Sequence, residues 1–143
     1  MGVRITGQYR GGLKMELTHE PSGKAIPTAA PVDNAGDGSS FSPTDLVAAA
    51  LGSCMITTMG IVAAREGIPF TSASFSLEKH MRSGPRRIDR IPVTVRMPPG
   101  LNAAQRRRLE EIALGCPVFE TLRPEIEKEV NFVYEEEGAE LTG

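Results

Sequence analysis

The sequence predicts an α+β fold in a single domain, residues 1–143, with antiparallel sheet. Three observations predict it. Strand and helix patterns fall in segregated runs, β-β-β-α-β-β-α-α-β, without the strict alternation of a parallel α/β fold. One long apolar stretch, SPTDLVAAALGSCMITTMGIVAAREG at residues 42–67, reads as a central helix. A length of 143 residues suffices for one sizeable core.

In chain order, Val3 to Tyr9 and Leu13 to His19 read as strands around Gly11-Gly12, a hairpin signal. Alternation at Leu13, Met15 and Leu17 puts one apolar face inward and Lys14, Glu16 and Thr18 on the other. A turn at Pro21-Ser22-Gly23 leads to a short strand from Lys24 to Thr28. Residues 30–40 are rich in Asp, Asn, Gly and Ser and read as a loop that runs into the central helix.

The helix start is marked in detail. Ser42 is a good N-cap, Pro43 suits the first helical position, and Asp45 stands where a capping-box acid reaches back. Gly67 and Pro69 end it, with Arg65 opposing the dipole in the last turn. From Leu46 to Ala64 every residue is apolar or small. The flanks Asp45 and Arg65-Glu66 offer no aromatic belt, so the reading is a buried core helix and not a membrane span. Its small residues let a second helix approach closely, and another subunit could supply one.

Phe70 to Met81 and Arg87 to Met97 read as a strand pair around the basic turn RSGPRR at residues 82–87. Pro98-Pro99-Gly100 breaks the chain, and Asn102 caps a helix from Ala103 to Leu114. Cys116-Pro117 opens a short third helix through Thr121 or Leu122. Glu127 to Tyr134 alternates as a last strand, and an acidic tail follows.

A net charge of −2 gives no electrostatic footprint for nucleic acid or for a membrane surface. Met1 is not followed by a basic and then apolar leader, so the expected location is cytoplasmic. His19 and His80 have no ligand spacing with the cysteines, which argues against zinc, and there is no phosphate loop or GxSxG elbow. The chemistry rests on the two cysteines, Cys54 and Cys116, 62 positions apart. In a reducing compartment they are read as thiols before they are read as a structural disulfide. Cys54 sits mid-helix with Ala50, Leu51, Thr57 and Thr58 as neighbours, where helix amides are already bonded and an inert buried thiol is the default. Cys116, as N-cap before Pro117, faces unpaired amides that would lower its pKa; a simple capping role weighs equally. If the fold joins the two, oxidation of one thiolate to a sulfenic acid lets the other condense with it. Arginines 82, 86, 87 and 90, or Lys14, could place a cation near a thiolate, though such turns are commonly solvated surface.

Taken together, SPTDLVAAALGSC around Cys54 and GCPVFETL around Cys116 resemble the OsmC/Ohr family of thiol-dependent hydroperoxide reductases. The resemblance covers nearly the whole chain, including the loop before the central helix and the PRRI run at Pro85 to Ile88. It implies an OsmC-like fold in which curved antiparallel sheets wrap around long central helices in an intertwined homodimer, with the sites at the subunit interface. It implies Cys54 as the peroxidatic thiolate and Cys116 as the resolving cysteine, in defence against oxidative or osmotic stress. No metal or organic cofactor is implied; an external thiol or dithiol is the reductant and a small organic hydroperoxide the substrate. Family members place a glutamate directly after the proline of an N-P-E motif, where this chain has Thr44 followed by Asp45. The position of the family's hairpin arginine falls around Leu13 and Lys14, where no arginine stands, so the likeness is to a divergent OsmC-like branch. The alternative, from a different class, is a non-peroxidatic protein holding a small hydrophobic or electrophilic ligand at the dimer interface.

Overall fold

The computed structural model describes residues 2–135. The chain divides into two compact units, residues 1–47 and 48–143.

The first unit is a three-stranded antiparallel sheet. Strands β1 (Ile5–Gly11), β2 (Lys14–His19) and β3 (Lys24–Ala29) pair in the order β1-β2-β3. The hairpin turns through left-handed backbone at Gly11, Gly12 and Leu13, so Leu13 lies in the turn and β2 begins at Lys14. Register aligns Tyr9 with Met15, Gly7 with Leu17 and Leu17 with Ile26, which gathers the apolar side chains on one face. On that face Ile5, Tyr9 and Ile26 remain exposed in the single chain.

Residues 30–40 form the expected loop, tightened by one 3₁₀ turn at Val32–Asn34. Gly36 is required there, because a Cβ would sit 1.8 Å from the Ala30 carbonyl oxygen. Asp37 fastens the loop: it accepts from the Ser39 N–H at 3.0 Å and pairs with Lys14 at 3.0 Å. Its bonds to Ser39 and then to Lys14 lower its pKa from the usual 3.8 to about 2. A depressed carboxylate contributes stability above the unfolded value and loses it as pH falls through the folded one. Carboxyl NMR of Asp37 is therefore expected to titrate near 2 with the Lys14 pair intact; a midpoint at 3.8 would contradict the clasp.

Helix α1 (Pro43–Glu66) starts as the sequence prescribes. The Asp45 N–H donates to Ser42 Oγ at 3.1 Å, and the Ser42 N–H donates back to Asp45 Oδ2 at 2.9 Å. Beyond its first turn α1 is the axis of the second unit.

There α1 buries Ala48, Leu51, Met55, Met59, Val62 and Ala63 against β-strands and two helices. Each fully buried large side chain contributes about 1.5–3 kcal/mol of transfer free energy. Gly52 allows the closest approach: a Cβ on it would fall 2.4 Å from Cδ1 of Phe75. Although α1 is long and apolar enough to cross a bilayer by composition, it is the core helix here, with seven buried residues. Its other face carries exposed side chains. Val47, Thr57 and Ile61 are exposed there, with Ala50 and Cys54 half-buried between them.

The two long strands expected at 70–81 and 87–97 each arrive as two pieces. They are β4 (Ser74–Leu77) with β5 (His80–Arg82), and β6 (Arg87–Arg90) with β7 (Val93–Met97). Pro92 has no N–H to give the ladder, so regular pairing lapses there and resumes beyond it. The Glu78 N–H to Pro92 carbonyl bond, 3.2 Å, spans the break. β4 and β7 are antiparallel, as are β5 and β6.

Helix α2 (Ala103–Leu114) carries a complete capping box between Asn102 and Gln105. Helix α3 (Pro117–Thr121) follows Cys116, and β8 (Val130–Tyr134) closes the unit. The expected antiparallel sheet has one exception: β8 runs parallel to β7, with Val93 opposite Val130. The two-helix crossover carries the chain back far enough to make that direction possible. Tyr134 then donates to Glu110 Oε2 at 2.5 Å, with the Arg106 guanidinium 4.1 Å over its ring, tying β8 to α2.

Candidate active site

Cys54 and Cys116 lie on different elements of the second unit, and the fold makes them neighbours whose thiols perturb one another. Both are free thiols. Cys54 comes from the middle of α1, is half-buried and packs at the edge of the core that holds Leu51 and Met55. Cys116 comes from the junction of α2 and α3 and is fully buried. One sulfur can be reached from outside; the other waits behind it.

The amide that Cys54 lacks in its own helix is supplied by α3. Pro117, at the first helical position, has no N–H, so the first amide α3 leaves unused belongs to Val118. That N–H donates to Cys54 Sγ at 3.5 Å. A neutral hydroxyl, that of Thr58 one turn along α1, lies 3.8 Å from the same sulfur. Donors aimed at a sulfur favour its anionic form, which is the nucleophile.

Cys116 departs from expectation. Its N-cap position suggested a lowered pKa, yet burial pushes the thiol up, and the neighbouring Cys54 sulfur pushes it the same way. The amides of Phe119 and Val118 pull downward but do not prevail. Its sulfur makes no side-chain capping bond to α3. At neutral pH Cys116 is a protonated thiol beside Cys54.

Of the cations and histidines the sequence offers, three have partners away from the cysteines. Lys14 pairs with Asp37. His19 Nδ1 is 2.6 Å from Ser22 Oγ, and His80 Nε2 is 3.0 Å from Glu78 Oε1. Among the described residues no guanidinium or ammonium bonds either cysteine sulfur, and no group of three or more His, Cys, Asp or Glu is gathered as for a metal. Arg87 is notable within the β5–β6 hairpin. Its Nε and Nη1 are buried without a hydrogen-bond partner among the described residues.

The sequence named both cysteines but missed the Val118 amide, which belongs to another element. Thr58 was in view as the residue one turn from Cys54, though with no role attached. Asp45, at the place next to the family's glutamate, is bonded to the Ser42 N–H at the start of α1.

The family model described as OsmC-like protein matches residues 36–131. The structure superimposes on a protein from Psychrobacter arcticus 273-4, described as an osmotic stress induced and detoxification response protein, with TM-score 0.87 and 34% identity. The match covers 93% of this chain and 98% of that one. An organic hydroperoxide resistance protein OsmC from Legionella pneumophila aligns with TM-score 0.74 at 18% identity, covering 92% and 96% of the two chains. The organic hydroperoxide resistance protein OhrB of Bacillus subtilis aligns with TM-score 0.68 at 17% identity, covering 93% and 98%. At these lower identities the likeness is one of fold. No curated protein sequence matches the chain.

Proposed function

The chain belongs to the OsmC-like protein family, and on that footing we propose that it reduces organic hydroperoxides through Cys54 and Cys116. One observation carries the reading: a reachable sulfur with an amide and a hydroxyl beside it neighbours a buried, protonated second thiol. The Cys54 thiolate attacks the distal oxygen of ROOH, the O–O bond breaks, and the alkoxide takes a proton and leaves as ROH. Cys54 is then a sulfenic acid. Cys116 attacks its sulfur, the thiol proton goes to the departing hydroxide, and water leaves as the disulfide forms. An external dithiol returns both thiols by exchange and is itself oxidised. No metal or flavin takes part in these steps.

The reading includes a homodimer. A second copy would cover two faces that the single chain leaves bare. One is the stripe Val47, Ala50, Cys54, Thr57, Ile61 and Ala64 on α1, whose alternating three- and four-residue steps form a helix-packing seam. The other is the apolar sheet face carrying Ile5, Tyr9 and Ile26. The unpartnered Arg87 nitrogens are a third sign, since Nε and Nη1 are buried donors that a second copy could supply with acceptors. Cys54 would then open onto a groove walled by both copies, in a cytoplasmic setting that keeps its thiol reduced between turnovers.

The test is turnover. With tert-butyl hydroperoxide and dithiothreitol, the reduced protein is expected to consume peroxide continuously. Without dithiol it should stop after one equivalent per chain. Consumption no faster than by dithiothreitol alone would overturn the proposal.

A further inference from the structure

We propose that the Thr58 hydroxyl activates Cys54, donating to its sulfur and so supplying by a neutral group what no charged side chain among the described residues supplies. The inference rests on the same site as the hydroperoxide reading and names the group that sets its reactivity.

A threonine inside a helix has a default partner, the carbonyl four residues back. Thr121 in α3 takes it, donating from Oγ1 to the Pro117 carbonyl at 2.7 Å. Thr58 stands in the same relation to Cys54, four residues back in α1, but its Oγ1 lies 3.8 Å from the Cys54 sulfur, the only partner it has among the described residues. The hydroxyl has therefore exchanged a strong carbonyl acceptor for a weak thiol acceptor. That exchange favours the folded protein only when the sulfur is a thiolate, because a hydrogen bond to a charged acceptor is roughly twice as strong as one to a neutral group.

The geometry around the sulfur is consistent with that role. The Val118 N–H donates at 3.5 Å from α3, and the Thr58 hydroxyl comes from α1. Cys116 is a neighbour of Cys54, and its raised pKa keeps its own proton in place. Thr58 is half-buried, so water competes weakly for its proton. Of the charged groups on the packed elements, Glu66 of α1 pairs with Arg108 of α2 at 2.6 Å, and Glu110 of α2 accepts from Tyr134. The Lys128 ammonium, which sits over the Phe119 ring, donates to backbone carbonyls of Arg123 and Ile126.

The experiment is the rate of iodoacetamide alkylation of Cys54 across pH, counted on its own mapped peptide in the full-length reduced protein. Thr58→Val keeps the shape and removes the donor. It is expected to slow alkylation at pH 7 roughly tenfold and to move the midpoint of the rate–pH profile up by about one unit, leaving the plateau at high pH unchanged. Thr58→Ser should restore the native profile to within about twofold, since the hydroxyl returns. A purely structural Thr58 would lower the plateau, or the thermal midpoint, without moving the profile. Thr58→Ala is the second donor-free variant should the valine fail to fold. An unmoved profile in the folded donor-free variants would overturn the inference. If the profile moves while the native protein consumes no hydroperoxide, the Thr58 inference stands and the peroxidase reading falls. If the native protein turns over hydroperoxide and the profile is unmoved, the reverse holds.

Discussion

Cys54→Ser is expected to lower hydroperoxide turnover to the level of dithiol alone, a loss of roughly a thousandfold or more, because a serine hydroxyl cannot replace a thiolate at neutral pH. The sulfur lost is the one to which the Val118 amide and the Thr58 hydroxyl donate, so no other atom of the site can take over attack on the peroxide. Cys116→Ser should behave differently. Cys54 would still be oxidised and release its alcohol, but no second sulfur would stand in contact to expel the hydroxide. The variant should give one turnover and then persist as the sulfenic acid, trapped by dimedone on the Cys54 peptide. Because Cys116 is fully buried and is held protonated by desolvation, iodoacetamide should modify it far more slowly than Cys54 in the native chain. Equal loss of turnover in both variants, with no burst from Cys116→Ser, would contradict the division of roles.

The second large effect concerns the second copy. Ile61 is half exposed in the single chain and lies on the bare stripe of α1 with Val47, Ala50, Cys54, Thr57 and Ala64. Ile61→Arg places a charge in the centre of the proposed seam. An unpaired charge buried in an interface costs about 3–5 kcal/mol, enough to dissociate a dimer of ordinary affinity. Sedimentation is expected to show a dimer for the native protein and a monomer for the variant. The variant's helical signal should be retained, since its core-facing residues Leu51, Met55 and Met59 are untouched. A native protein that sediments as a monomer, or a variant that stays dimeric, would remove the seam.

Much of this architecture was legible in local chemistry. Ser42, Pro43 and Asp45 announce the start of α1, and both halves of the capping box form. The strand boundaries in the middle of the chain were not, because alternation across Phe70 to Met81 and Arg87 to Met97 conceals the lapse in pairing that Pro92 imposes. The parallel direction of β8 was not legible either. It depends on where two helices return the chain, and no residue within Val130–Tyr134 encodes it. The same distinction governs the site. Two cysteines are visible in any reading of the sequence, and the helix period puts Thr58 beside Cys54. The Val118 amide is a main-chain group, has no side-chain signature, and reaches Cys54 only through the packing of α3 on α1. The reversal at Cys116 has the same origin: an N-cap position promises a lowered pKa, but the burial that outweighs it is a property of the assembled core.

The most direct measurement is a thiol count after one equivalent of cumene hydroperoxide on fully reduced protein, followed by non-reducing peptide mapping. The account predicts rapid loss of both thiols, one equivalent of alcohol released, and a disulfide joining Cys54 to Cys116 within one chain. Survival of both thiols over minutes would contradict it, and would direct attention to the groove beside Cys54 as a place where a ligand is bound without being reduced.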